Sequence, residues 1–194
     1  MSPASPSAFE DSALLRLYAR GDARAAHVLT QRIAPRVLGF ATRILGGDRA
    51  EAEDITQEVM LRLWRAADRW EADGAARAIT WAFRVASNLC IDRIRKSRRV
   101  TPGLDAAPEP MDPSPDGEER LQSQARLTAL DAGLATLPER QRIAVILRHI
   151  EGWSNPEIAT HLEISVEAVE SLTARGKRAL DEAHSVRKEE LRHD

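Results

Sequence analysis

One stretch, residues 79–99, ITWAFRVASNLCIDRIRKSRR, constrains this chain more than any other. It contains no Gly or Pro and is long enough for about six turns of α-helix. At about 100° per residue, Ala82, Val85, Ala86, Leu89, Cys90 and Ile94 share one arc, the pattern of a helix with a buried face. Arg84, Asn88, Asp92, Arg95 and Arg99 fall on the opposite arc. From Arg84 to Arg99, six basic residues (Arg84, Arg93, Arg95, Lys96, Arg98, Arg99) stand against one acid, Asp92. A solvated outer face accounts for such a stripe. In a chain whose net charge is −2, it also fits a local site for a polyanion.

The rest of the chain is expected to be helical as well. Of its 194 residues, 43% are apolar but only 4% aromatic, so the core must be built from Ala, Leu, Ile and Val. Few stretches alternate with period two, and the dominant residues are good helix formers. The expected class is all-α: two small helical domains joined by a flexible Pro- and acid-rich linker. A single cysteine, Cys90, rules out a disulfide framework and a Cys-rich zinc site. It lies on the buried arc, which favours packing over redox sensing. The histidines form no metal-ligand spacing, so neither metal nor cofactor is expected. No apolar run approaches membrane length, and the N-terminus MSPASPSAFE lacks a basic start followed by an apolar segment. A soluble, cytoplasmic, unprocessed protein is expected, with no membrane insertion.

In chain order, residues 1–10 read as disordered and residues 11–99 as the first domain. Asp11 or Ser12 is expected to cap a first helix ending at Gly21. Asp22 opens the next, Pro35 should break or kink it, and Gly46-Gly47 ends the segment that follows. Residues 48–68 form a further helix with Ala52, Ile55, Val59, Leu63 and Ala66 inward. Asp54, Glu58 and Arg65 lie outward, with Gln57 at the edge and Leu61 in their midst. That arrangement is either a solvated face with one stray leucine or an apolar anchor for a partner. Residues 70–77, WEADGAAR, read as a loop bracketed by Trp70 and Trp81. Both rings could be core, or one could stack on bases.

Residues 100–120 form the linker. Pro102, Pro108, Pro110, Pro113 and Pro115 are half of the chain's ten prolines, and six acids accompany them within residues 105–119. Proline and like charge both favour an extended segment that does not pack. The second domain is assigned to 121–184, with a tail at 185–194. Leu127, Leu130, Leu134 and Leu137 mark one helix. Pro138 opens another that buries Ile143, Val145, Ile146, Leu147 and Ile150, and Gly152 ends it. Ser154 caps a short helix with Ile158, Ala159 and Leu162 inward. Glu163-Ile164-Ser165 is a tight turn, and Ser165 caps a last helix from Val166 to about His184, with Val169, Leu172 and Leu180 inward. Short helix, three-residue turn, second helix is the helix-turn-helix layout, whose second helix enters a DNA major groove.

The segments AEDITQEVMLRLWR, TWAFRVASNLCIDRIR and LPERQRIAVILRHIEGWSNPEIATHLEIS, in that order across a Pro-rich linker, resemble the bacterial RNA polymerase sigma factors of the extracytoplasmic-function (ECF) group. The resemblance covers residues 11–183. It implies a first domain that binds core RNA polymerase and the −10 promoter element, a second that binds the −35 element, and opening of the −10 duplex. By position it assigns Asp54, Gln57, Glu58 and Leu61 to core-polymerase docking. Ala72, Asp73, Gly74 and Arg77, in the loop, would pocket an extruded base. Trp81, Arg84, Asn88 and Arg95 would lie beside the melted strand. Ser165, Glu167, Glu170, Ser171, Arg175, Lys177 and Arg178 would face the −35 groove. An anti-sigma factor is implied as an inhibitory partner. Three positions depart from the family pattern: Glu163 stands where the turn usually has Gly, Glu170 where the recognition helix usually has Lys, and Leu172 where it usually has Arg.

A helix-turn-helix regulator with a sensing or dimerising first domain would explain the second domain equally well, but not the separate basic stripe of the first. An enzyme is not expected. The sequence contains no Gly-rich phosphate loop, no metal cluster and no nucleophile paired with a base, and no small-molecule substrate is implied.

Overall fold

The computed structural model describes residues 10–70, 78–100 and 128–190, all helices and turns. The expected disordered start, the linker and the loop with Ala72, Asp73, Gly74 and Arg77 lie outside these residues, apart from their edges. The chain divides into two compact units, residues 1–42 with 49–100 and residues 43–48 with 101–194.

In the first unit, α1 (Asp11–Ala19), α2 (Ala23–Ile44), α3 (Arg49–Ala66) and α4 (Ala78–Val100) follow one another, with a single 3₁₀ turn, Ala67–Arg69, after α3. The core is Leu14 and Leu15 of α1, Leu29, Ile33, Val37 and Phe40 of α2, Val59 and Leu63 of α3, and Ala82, Phe83, Ala86 and Cys90 of α4, all fully buried. The Phe40 and Phe83 rings meet edge-on at 4.9 Å.

Three expectations are corrected here. Pro35 does not break α2, which is one helix from Ala23 to Ile44. A proline ring leaves the carbonyl four residues back without its helical donor, but both Gln31 and Pro35 are exposed, so water can serve it. Neither Asp11 nor Ser12 caps α1. Glu10 precedes the helix without a side-chain cap bond, while Asp11, inside the first turn, accepts from Arg32 of α2 at 3.0 Å. The buried arc of α4 is also rotated from the expected one. Phe83 and Ser87 are buried, whereas Val85, Leu89 and Ile94 are only half-buried.

In the second unit, a helical stretch at residues 128–135 (α5) precedes α6 (Glu139–His149), α7 (Asn155–Leu162) and α8 (Val166–Glu190). Leu134, Leu137, Ile143, Ile146, Leu147, Ile158 and Val169 form the core. Ile150 is not part of it: α6 ends at His149, and Ile150, in the turn beyond, is 38% exposed. The last helix also outruns its expected end, continuing to Glu190. Apolar periodicity fades after Leu180, but the segment SVRKEE contains no breaker, and its Arg, Lys and Glu residues sustain a helix on propensity alone.

Gly176 fixes how α8 crosses α6. A glycine inside a helix costs about 1 kcal/mol relative to alanine, so its presence needs a reason. A Cβ built on Gly176 would lie 2.4 Å from Val145 Cγ2 and 3.2 Å from Gln141 Cγ. The absent side chain lets the two helices approach closely.

Candidate nucleic-acid and polymerase interfaces

On α3, the buried side consists of Ala52, Ile55, Thr56, Val59, Met60 and Leu63. The opposite side exposes Asp54, Gln57 and Leu61. Glu58 is half-buried and accepts from Arg62 Nε at 2.7 Å. Leu61 is 49% exposed, an apolar side chain standing off a scaffold whose packing does not depend on it. One more acid of this helix, Glu51, is engaged with α4: Arg93 reaches it through Nε at 2.9 Å and Nη1 at 3.1 Å. Arg93 is one of the six cations of the basic stripe, but this two-point pairing commits it to the α3–α4 junction.

The outward face of α4 presents Arg84, Asn88, Asp92, Arg95 and Lys96, all exposed. Trp81, one turn into the helix, is half-buried and meets Trp70 edge-on at 6.0 Å. Neither ring is a full core residue, and part of Trp81 remains accessible beside Arg84. Sequence reasoning missed Arg36, whose guanidinium lies 5.6 Å from the centre of the Phe83 ring. Cys90 is fully buried, and burial pushes its thiol up to about 12, so it stays a packed thiol at neutral pH.

In the second unit, the turn between α7 and α8 is built by local chemistry. Ser154 caps α7, and Glu157 reaches back in a reciprocal capping box, accepting from the Ser154 backbone N–H at 2.8 Å. Such a box satisfies two N–H groups that the helix leaves free. At the other end, Glu163 adopts the left-handed conformation, φ 55° and ψ 48°, the only positive φ outside glycine among the described residues. Ser165 Oγ then accepts from Ala168 N at 3.2 Å, capping α8. Trp153, unremarked in the sequence, is buried and packs edge-on against His161 at 5.4 Å. Its carbonyl accepts from Arg148 Nη1 at 2.9 Å, which pins the loop ahead of α7.

On α8, Ser165 (its cap), Glu167, Glu170, Ser171, Arg175, Lys177 and Arg178 are all exposed. Hydrogen bonds from its own backbone N–H and from Ser165 hold the Glu167 carboxyl below the usual range. Arg175 Nε donates to the Ser171 carbonyl at 3.2 Å and Arg178 Nε to that of Ala174 at 3.4 Å, so both side chains lie along the helix. Of the inward residues, Val169 is fully buried, whereas Leu172 and Leu180 are half-buried. Glu170 is approached by Asn155 of α7, whose Nδ2 lies 3.5 Å from Oε1.

No group of three or more metal-ligating side chains occurs among the described residues, and no helix among them is long and apolar enough to cross a membrane. Two family models match the chain: Sigma-70 region 2 over residues 29–100 and Sigma-70, region 4 over residues 127–180. The ECF RNA polymerase sigma factor SigL of Mycobacterium tuberculosis is 37% identical over 138 residues, 70% of this chain and 76% of that protein. SigE of Mycolicibacterium smegmatis, also an ECF RNA polymerase sigma factor, is 35% identical over 156 residues, which span 78% of this chain but only 58% of that longer protein. Among solved structures, CnrH in complex with the cytosolic domain of CnrY aligns with a TM-score of 0.63 at 26% identity, covering 91% of this chain and 97% of that one. A helical unit with a basic outer helix, a helix-turn-helix unit and these relatives agree: the chain belongs to the ECF group of RNA polymerase sigma factors.

Proposed function

We propose that this sigma factor docks on core RNA polymerase through Asp54, Gln57, Glu58 and Leu61 of α3 and directs it to promoters through two separate DNA surfaces. Trp81, Arg84, Asn88 and Arg95 of α4, with Ala72, Asp73, Gly74 and Arg77 ahead of it in sequence, hold and read the opened −10 strand. Ser165, Glu167, Glu170, Ser171, Arg175, Lys177 and Arg178 meet the −35 duplex. An anti-sigma factor covering these surfaces keeps the protein inactive; CnrH, its structural relative, was solved bound to part of another protein. The observation that carries the reading is that both units present an exposed, base-compatible helix face of their own. An extruded base needs a pocket with hydrogen-bonding edges, and the strand beside it needs cations and a stacking surface.

The docking face gives the sharpest test. A desolvated apolar anchor commonly costs about 2 kcal/mol on truncation, close to thirtyfold in affinity. Leu61→Ala is expected to weaken binding to purified core polymerase by about that factor, and Asp54→Ala by less, with unchanged thermal melting because both side chains are exposed. Unchanged core affinity in both variants would remove α3 from the interface. A helix-turn-helix regulator would bind promoter duplex without binding core at all, so the same titration separates the two classes.

A further inference from the structure

The acid on the recognition helix raises a problem of its own. A carboxylate facing phosphates is repelled unless it is held where a donor meets it. Glu170 stands in the second turn of α8, exposed and without an ion pair among the described residues. The one hydrogen-bond partner shown for its carboxylate is Asn155, the first residue of α7, fifteen positions earlier in the chain; its backbone carbonyl accepts from Thr173 Oγ1 within the helix. The Asn155 side chain has two ends. Its Nδ2 points at Glu170 Oε1, at 3.5 Å, while its Oδ1 is buried with no hydrogen-bond partner. A carboxylate can only accept, so the opposite rotation of the amide would set one oxygen against another. The amide therefore turns its donor toward Glu170 although this leaves its own carbonyl unsatisfied, an arrangement that buried polar groups usually avoid.

We infer that Asn155 is a positioning residue for −35 recognition: it fixes the Glu170 carboxylate by one oxygen so that the other can accept from a base-edge amino group in the groove. The inference rests on the proposal that α8 reads the −35 duplex. The matching donor is the exocyclic amine of cytosine, which presents N4–H₂ in the major groove and pairs with Glu or Asp. Glu170 also lies near the N-terminal end of α8, the part of a recognition helix that meets base edges. The contact is long in the free protein, and it strengthens when the groove excludes water from the pair. Asn155 itself is half-buried between the Ser154 cap and the rest of α7, so its backbone is fixed by the capping box.

The test uses full-length protein in holoenzyme, a panel of promoter duplexes varied one −35 base pair at a time, three single variants and one double variant. Glu170→Ala should weaken the preferred site about tenfold and flatten preference at one base pair. Asn155→Ala should flatten preference at that same base pair by a smaller factor, and it should have no further effect once Glu170→Ala is present. Asn155→Asp is the informative variant. An acid in the first turn of a helix favours the helix dipole, so α7 should melt no earlier than in the parent. The same acid repels Glu170, so base preference should fall further than with Asn155→Ala. Loss of preference with retained melting is something a purely structural role would not produce. If Glu170→Ala tightens binding to every duplex alike, the base-reading assignment fails and the inference with it. If Glu170→Ala flattens the preference but both Asn155 variants keep the parent profile, the positioning role alone is overturned.

Discussion

Helices α4 and α8 are of similar length, 23 and 25 residues, and each turns one face outward, yet they distribute charge differently. The α4 face mixes Arg84, Arg95 and Lys96 with Asn88 and a single acid, Asp92, all exposed. On the α8 face the charges come in blocks: Glu167 and Glu170 occupy its first turns, Arg175, Lys177 and Arg178 follow, and exposed Asp181 and Glu182 come after them. Acids near a helix N-terminus agree with the helix dipole, and in a recognition helix that end meets base edges while the cations behind it meet phosphates. The α4 face has no such division. The difference fits the roles proposed for the two helices: on α4 the cations and the base-reading Asn88 share one face, whereas on α8 the acids proposed to meet base edges precede the cations proposed to meet phosphates.

The packing of α8 against α6 is the point most sensitive to substitution. Val145 is β-branched and buried, and such a side chain has essentially one rotamer in a helix, so it cannot yield to a Cβ placed 2.4 Å from its Cγ2. Overpacking of this kind reaches about 3 kcal/mol, against a gain of about 1 kcal/mol in helix propensity. Gly176→Ala should therefore destabilise the second unit by about 2 kcal/mol in urea titration and weaken −35 binding. Val145→Ala added to it should recover part of the loss by removing the opposing methyl. A fully stable Gly176→Ala would mean that α8 can shift on α6 and is not fixed there.

Much of this was legible in the sequence, for reasons that differ by residue. The outward faces of α3 and α4 followed from helical period because both helices are amphipathic over several turns. The cap residues Ser154 and Ser165 were readable because capping is local. Phe83 was missed because α4 packs against more than one neighbour, which widens and rotates its buried arc beyond what a single partner would give. Pro35 misled because its cost depends on whether the freed carbonyl meets water, which periodicity does not report. Arg93 with Glu51, Asn155 with Glu170 and Gly176 with Val145 are pairs between helices. Their partners are set by how helices cross, and no spacing within one segment encodes that. An isolated glycine in a helical pattern is the signal that could have marked Gly176.

The turn ahead of α8 offers a smaller and opposite effect. A left-handed conformation costs a non-Gly residue roughly 1 kcal/mol, and glycine gives back part of the gain through the entropy of the unfolded chain. At Glu163, with φ 55°, relief of backbone strain favours Glu163→Gly by about 0.5 kcal/mol, against whatever the Glu163 side chain contributes to the turn, and −35 base preference should stay unchanged. Lower stability on this change would show that the Glu163 side chain holds the turn by more than its backbone geometry.

The salt dependence of binding gives the most direct comparison of the two faces. Each phosphate neutralised contributes about 0.9 to the slope of log affinity against log salt on duplex DNA, and about 0.7 on a single strand. If Arg175 meets a phosphate of the −35 duplex, Arg175→Ala in holoenzyme should flatten the slope by about 0.9, whatever the −35 sequence. If Arg84 lies along an opened strand, Arg84→Ala on a probe with a single-stranded −10 element should flatten it by about 0.7, again for all sequences alike. Between 50 and 200 mM salt these slopes correspond to factors of only about 3.5 and 2.6, so the full titration is needed, not a single condition. Asn88→Ala removes no charge and should leave the slope intact while altering which base is preferred in the −10 element. A slope change of about 0.9 for Arg84→Ala on duplex probes, with none on opened ones, would place α4 on double-stranded DNA instead of the opened strand. No slope change for Arg175→Ala would remove Arg175 from the phosphate contacts proposed for α8 and leave that role to Lys177 and Arg178.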